Sequence, residues 1–384
     1  MKIAIVTVGY NRVDSLSRLL ASLNNANYSN DEVTLVISVD KSNTNIVEEF
    51  ADSFLWKYGK KIVDKHNENL GLREHMLSLT KWFEYFDALV VLEDDVFVSP
   101  NFYSYVKQTT KQYYNDDKIA GISLYSYSLN YHTSELFVPY KKEHDVYFMN
   151  CAMSWGQVWM KNQWLAFVDW YKTHVDFPDL IHLPKTICNW PKSSWLKYHT
   201  RYCIEQNKFF VYPYIGYSTN CGALGTHNRK GDSSYQIPLQ MGNIKELNLP
   251  KLGEDSVCYD GFFENIALYS ILGLPSNTCC IDLNGAKNNR ENKRYWLTTN
   301  CLNFKVLKSY GLDFKPIEQN VMMNHRGESI FLYDTNVVEK HVKSKKYQNK
   351  LIYCYNMSNA IPFLRKYGIK NLIKDFIEKI RDRF

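Results

Sequence analysis

The chain contains no run of about 18 apolar residues, so no segment reads as a membrane-spanning helix. It enters Ile3-Ala4-Ile5-Val6 at once. No long apolar core with a small-residue cleavage site precedes that run, and no signal peptide is expected. No G-x-G-x-x-G follows the first apolar run, and no G-x-x-x-x-G-K-[ST] occurs, which argues against a dinucleotide fold and a P-loop NTPase. The nine cysteines include no C-x-x-C pair, and Cys279-Cys280 lacks partners at zinc-knuckle spacing. They read as reduced thiols of a cytosolic protein. The net charge is only +6, and the first half has no Lys/Arg-rich run that would track a phosphate backbone, so no nucleic-acid partner is expected. Repeats and low-complexity segments are also missing.

What is present is an ordinary globular balance, 45% hydrophobic and 22% charged, over 384 residues. That length accommodates a full α/β domain and a smaller appendage. Aromatic content is high at 15%, with 29 Tyr. Two explanations stand: rings that stack on sugars or bases, or extra aromatics in the core.

The most informative stretch is Ala88-Leu89-Val90-Val91-Leu92-Glu93-Asp94-Asp95-Val96-Phe97-Val98. A run apolar at every position reads as a strand covered on both faces. Unpaired carboxylates cannot continue into a core, because desolvating one costs several kcal/mol. The acids therefore belong where the strand leaves the sheet, facing something positive. In an open α/β sheet, ligands bind beyond the carboxyl ends of the strands. A divalent cation carrying phosphate is the simplest positive partner for such oxygens; a solvated turn is the plain alternative.

Earlier segments repeat the pattern. A buried strand at 2–8 is followed by Gly9-Tyr10-Asn11-Arg12 and a helix with Leu16, Leu19, Leu20 and Leu23 at helical spacing. A strand at 33–39 ends in Asp40, and another near 61–63 precedes Asn69-Leu70-Gly71-Leu72-Arg73 and a helix over 74–86. This alternation predicts a doubly wound, mostly parallel α/β sheet, with Asn11, Arg12, Asp40, Arg73 and the acids along one edge.

The order Ile-Val-Thr-x-x-x-Asn-Arg, strand-Asp40, Asn-x-Gly and Leu-Glu-Asp-Asp, with Pro100, Phe102 and Tyr103 after the acids, resembles the N-terminal half of GT-A glycosyltransferases. The likeness is to family-2-like bacterial enzymes and to N-acetylglucosaminyltransferase I. The resemblance implies a GT-A fold with Mn²⁺ or Mg²⁺ and a nucleotide-sugar donor. On it, Asp95 ligates the metal holding the donor diphosphate. Glu93 and Asp94 bind ribose, base or water, and Asp40 faces the base. Thr7, Asn11 and Arg12 line the nucleotide pocket, and Arg73 lies near the diphosphate. Cys151 to Trp164 resembles the acceptor segment, with Trp155 and Gly156 contacting acceptor and Trp159 and Trp164 either binding or core. Asn220 to His227 resembles the block closing the catalytic domain, which makes His227 a second metal ligand or phosphate contact. One departure stands out. Inverting relatives carry a general base beside the Trp matched by Trp195, where this chain has Ser194-Trp195-Leu196. Asp176, Asp179 and Glu205 are substitutes the sequence does not choose among. A base from elsewhere, a retaining reaction and lost catalysis all remain open.

The resemblance ends near residue 230. The expected organisation is a catalytic domain over 1–230 and a mainly helical extension over 231–384, with a helical segment near 254–274. Its last stretch, from Ile361, spaces apolar residues near a helical period among Lys366, Lys370, Lys374, Lys379, Arg381 and Arg383. That pattern fits a basic amphipathic helix on an anionic membrane, or a helix packed on the domain with solvated lysines. The sequence reading is a cytoplasmic hexosyl- or N-acetylhexosaminyltransferase, peripheral on the inner face of the membrane. It would pass a sugar from a nucleotide-diphosphate donor, UDP in particular, to a glycan or lipid-linked acceptor in bacterial surface-polysaccharide synthesis. The rivals are a sugar nucleotidyltransferase and a non-catalytic nucleotide-sugar-binding protein.

Overall fold

The computed structural model describes residues 1–178, 180–222, 234–243, 246–253, 255–287, 292–354, 360–370, 373–374 and 377. The chain divides into two compact units, Met1–Ala223 with Asp232–Ala267, and Leu224–Gly231 with Leu268–Phe384.

The first unit is built on strands β1 (Ile3–Gly9), β2 (Thr34–Val39), β3 (Lys61–Lys65), β4 (Ala88–Glu93), β5 (Val96–Val98), β6 (Ile119–Ser123), β7 (Leu129–Asn130), β8 (Glu135–Leu136), β9 (Val146–Met149), β10 (Gln157–Met160), β11 (Phe209–Pro213), β12 (Ser218–Asn220) and β13 (Cys258–Tyr259). Nine of these form one sheet in the order β13-β9-β11-β6-β10-β4-β1-β2-β3. β3, β2, β1 and β4 are parallel neighbours, while β10 runs antiparallel to both β4 and β6. This is the mixed α/β, mostly parallel sheet the alternating pattern predicts. The first unit runs past the expected boundary at 230, because β13 pairs with β9 and extends this sheet. Only Ala267–Leu272 of the expected 254–274 helix is helical.

β1 is buried along nearly its whole length because helices cover both faces. On one face Ile5, Leu35, Ile37, Val90 and Leu92 meet Leu16, Leu19, Leu20 and Leu23 of helix α1 (Val13–Asn24). On the other, Val6, Val8, Leu89 and Val91 pack with Met76, Trp164 and Trp195. The helix expected over 74–86 begins earlier, at Gly71, and tightens to a 3₁₀ helix over Leu79–Glu84.

Trp159 and Trp164 are core. Both are fully buried, their rings stack at 3.5 Å and 8°, and each indole N–H is used, on Gln157 Oε1 at 2.7 Å and Thr80 Oγ1 at 2.9 Å. Much of the aromatic excess goes the same way: Tyr125, Tyr127, Tyr147, Tyr198, Tyr202, Tyr212 and Tyr259 all sit in that core.

The second unit carries a four-stranded sheet, with Ile330–Val338 antiparallel between Tyr295–Thr298 and Phe304–Tyr310, and Cys279–Asp282 parallel at one edge. Helices therefore share the extension with strands, where the sequence reading expects mainly helix. The alternation of Cys279 and Ile281 inward, around Leu297, Ile330 and Leu332, builds its core. All nine cysteines are free of disulfides. Among the described residues no helix is long and apolar enough to cross a membrane.

Two tests follow from this core. Trp164→Ala removes half of the indole stack and should cost about 3–5 kcal/mol in urea unfolding. Burial holds His75 down to about 4, with His66 adding to the effect, and burial holds His199 down to about 3. Both fold neutral, below the ordinary histidine value, so their contribution is complete above pH ~6.5 and is lost as pH falls toward 4. Urea midpoints should drop across that window, by up to about 1.4 kcal/mol per pH unit for each histidine. A flat profile from pH 7 to 4 would contradict neutral burial.

Candidate active site

Parallel register brings the turns after β1, β2 and β4 to one edge: Val8 lies opposite Glu93, and Gly9 opposite Val39. The acids fall where the apolar strand leaves the sheet. Glu93 ends β4, Asp94 and Asp95 form a turn, and β5 leaves the main sheet to pair with β12. Alternation then separates the three carboxylates.

Asp94 is buried and bound by Arg12, through Arg12 Nε to Oδ2 at 3.1 Å and a short bond from Nη2 to Oδ1. Burial pushes Asp94 up to about 6, and Arg12 pulls the other way; at neutral pH the pair is charged. Glu93 ends β4 near Trp195 of helix α7 (Trp195–Glu205), which favours its charged form. Burial and then the neighbouring Asp95 and Asp94 push it up to about 8. Trp195, beside which the sequence carries no acid, thus lies near an acid of β4, roughly 100 residues earlier. Asp95 is different: its Oδ1 is buried and has no hydrogen-bond partner among the described residues. Its backbone carbonyl accepts from Cys221 N–H at 2.8 Å, which ties the turn to the end of β12.

The remaining expected residues fall into three groups. Trp155 and Gly156 precede β10, whose Gln157 lies opposite Val91, so they arrive at the same edge as the acids. Trp155 stands partly exposed between Tyr125 and Tyr235, each with ring centres 4.9 Å away. Its carbonyl accepts from Ser218 Oγ at 2.5 Å. Gly156 has φ +91°, and a Cβ there would meet Ser218 Oγ at 2.8 Å. Only glycine satisfies both constraints.

Asp40 is a loop organiser. It accepts from the backbone N–H groups of Lys41, Leu70 and Gly71 and from Asn69 Nδ2, between 2.9 and 3.4 Å. Those four bonds fill a carboxylate's acceptor sites. Thr7 is fully buried and its hydroxyl makes no hydrogen bond, whereas Asn11 is exposed at the edge. Arg73 turns to Glu74 at 3.1 Å and the Lys192 carbonyl at 2.8 Å, over the Tyr198 ring.

Of the substitute bases, the two described ones are not gathered at the acids. Glu205 is at the far end of α7 from Trp195, about 15 Å along the helix, and is held by Arg201 at 2.8 Å and His182 at 3.1 Å. Asp176 is exposed, and its carbonyl accepts from Arg201 at 2.8 Å. Asp179 and His227 lie outside the described residues.

Sequence reading missed Arg18, whose Nε and Nη2 are buried with no hydrogen-bond partner among the described residues and whose charge acts on Asp94 and Cys221. Its signal was its place, five residues after Val13, one turn into the helix that follows β1.

Among the described residues no three His, Cys, Asp or Glu side chains converge to hold a metal alone. A single orphaned carboxylate oxygen at Asp95 fits instead a hard cation that takes one or two protein oxygens and completes its shell with water and substrate phosphates.

No family model matches the chain, and no curated protein matches it. Several solved structures are similar in fold. TarS 1–349 from S. aureus, in complex with UDP-GlcNAc, is 13% identical with a TM-score of 0.38, over 60% of this chain and 62% of that one. The mannosyltransferase PcManGT from Pyrobaculum calidifontis, in complex with GDP-Man and Mn²⁺, is 9% identical with a TM-score of 0.36, over 55% and 54%. GalNAc-T7 with UDP, GalNAc and Mn²⁺ is 14% identical with a TM-score of 0.36, over 56% and 42%. The chain thus spans less than two thirds of each.

Removing either side of the acid turn separates its two jobs. Arg12→Met leaves Asp94 buried without its cation and should cost about 2 kcal/mol, less than a fully buried pair because Arg12 is 29% exposed. Asp95→Asn removes a carboxylate whose buried Oδ1 has no hydrogen-bond partner among the described residues, and should change stability by less than about 0.5 kcal/mol. Equal losses in urea unfolding would make Asp95 structural.

Proposed function

We propose that the chain is a metal-dependent glycosyltransferase that moves a hexosyl or N-acetylhexosaminyl group from a nucleotide-diphosphate donor, a UDP-sugar first, to a glycan or lipid-linked acceptor. The observation that carries this reading is the division of labour among the acids. Asp94 is spent on Arg12 and Glu93 lies near Trp195, while Asp95 keeps a buried oxygen with no hydrogen-bond partner among the described residues, at the edge of the sheet that carries the acids. Mn²⁺ or Mg²⁺ bound there would stabilise the charge that develops on the leaving nucleotide.

The chain's own residues have clear parts in this reading. Arg12 fixes the Asp94–Asp95 turn and supplies positive charge beside the phosphates. Asp40 shapes the 69–71 loop that borders the pocket. Trp155, with Gly156 allowing close backbone approach, offers a ring face to the acceptor sugar. The catalytic domain is the first unit. A role in bacterial surface-polysaccharide synthesis, with a cytoplasmic enzyme peripheral to the membrane, is consistent with the basic tail.

A second reading is kept by one observation: Asp176 and Glu205 are not at the acids, so the chain would bind a nucleotide-sugar without transferring it.

Thermal-shift binding with UDP-, GDP-, CMP- and dTDP-sugars, each with Mn²⁺ and with EDTA, tests the donor site. A ligand at about 100 times its dissociation constant should stabilise by about 2.7 kcal/mol, only with metal, and Asp95→Asn should abolish that shift. No shift with any nucleotide sinks the proposal. Donor hydrolysis or transfer above background excludes the binding-only reading, and pyrophosphate release from a nucleoside triphosphate and a sugar phosphate would favour a nucleotidyltransferase.

A further inference from the structure

Exposed apolar side chains scattered singly are normal on a protein surface. Those of the C-terminal segment are not scattered. Ile369, Ile373 and Ile377 are 59%, 52% and 45% exposed, and residues 369, 370, 373, 374 and 377 are helical. In a helix, a spacing of four keeps side chains on one face, about 6 Å apart along the axis.

The charges are arranged around those isoleucines. Lys370 and Lys374 each follow an isoleucine and are exposed, as is Arg365 in the preceding helix, Ala360–Tyr367. Across residues 361–384 there are seven basic and three acidic side chains, four net positive charges. A purely apolar row would not name its occupant. Here the row is bordered by basic side chains whose long stems can lie along apolar surface while the ammonium groups reach outward. That combination matches a leaflet boundary: acyl chains for the isoleucines and anionic headgroups for the lysines.

We propose that this basic segment docks the chain on an anionic lipid surface, with Ile369, Ile373 and Ile377 entering the headgroup–acyl boundary and Lys370 and Lys374 engaging lipid phosphates. The docking stands apart from the donor-site reading, so its failure leaves that reading untouched.

The test is vesicle flotation of the full chain, comparing phosphatidylcholine vesicles with vesicles containing about one-third phosphatidylglycerol. The chain should float with the anionic vesicles and not the neutral ones, and about 0.5 M salt should weaken the binding. Ile369→Ser/Ile373→Ser/Ile377→Ser should lower partitioning at least about tenfold. Lys370→Gln/Lys374→Gln should lower it about 25-fold, since each basic side chain near an anionic leaflet is worth about fivefold. Circular dichroism melts that match wild type would show that lost flotation is lost docking. Wild-type chain that ignores anionic vesicles, or variants that float as well as wild type, would overturn the proposal. So would a concentration-dependent dimer on size exclusion that the isoleucine variant abolishes, because the row would then face a second copy.

Discussion

Keeping a carboxylate at the end of a fully apolar strand requires a cation, and Arg12 supplies it to Asp94. Much of the site depends on that pair. It joins the turn after β1 to the turn after β4, and both strands are buried at the centre of the sheet. With one acid neutralised, the next can remain unpaired without leaving the turn doubly charged. The pairing holds the turn that carries Asp95, and it is unlike a surface ion pair, whose loss is hardly felt.

The alternation of side chains around the turn does the rest. Glu93 is still in β4 and follows its pleat toward α7; Asp94 turns to Arg12; Asp95 lies where the chain changes sheets. Three consecutive acids thus have three environments, set by backbone direction alone. The aromatic core under α7 matters here, because stacked Trp159 and Trp164 and the adjoining Trp195 fix the wall that Glu93 meets.

The sheet edge was legible because it rests on local patterns: apolar runs as long as strands, leucines at helical spacing, and polar residues directly after each run. Those patterns gave the parallel strands and the convergence of Arg12, Asp40 and the acids. They did not give partners, since partners depend on side-chain direction in three dimensions. Asp40 reads as a ligand-facing acid, yet its oxygens are filled by the 69–71 loop. Glu205 reads as a free acid near Trp195, yet a helix separates them and Arg201 holds it. The strands of the second unit were hidden for another reason: they are short and only partly alternating, as in the exposed, charged Phe304–Tyr310.

The ribbon formed by β5 and β12 has a consequence for how the protein comes into being. It joins Val96 to Asn220, and Cys221 to Asp95, across a stretch that contains β6, β9, β10 and β11. Contacts of such long sequence separation are closed late, after the loop entropy of the intervening chain has been overcome. During synthesis the acid turn therefore emerges well before the strand that walls it in. The edge that carries the acids is among the last parts of the first unit to become complete, and a chain interrupted before residue 220 would carry the acids without β12 beside them.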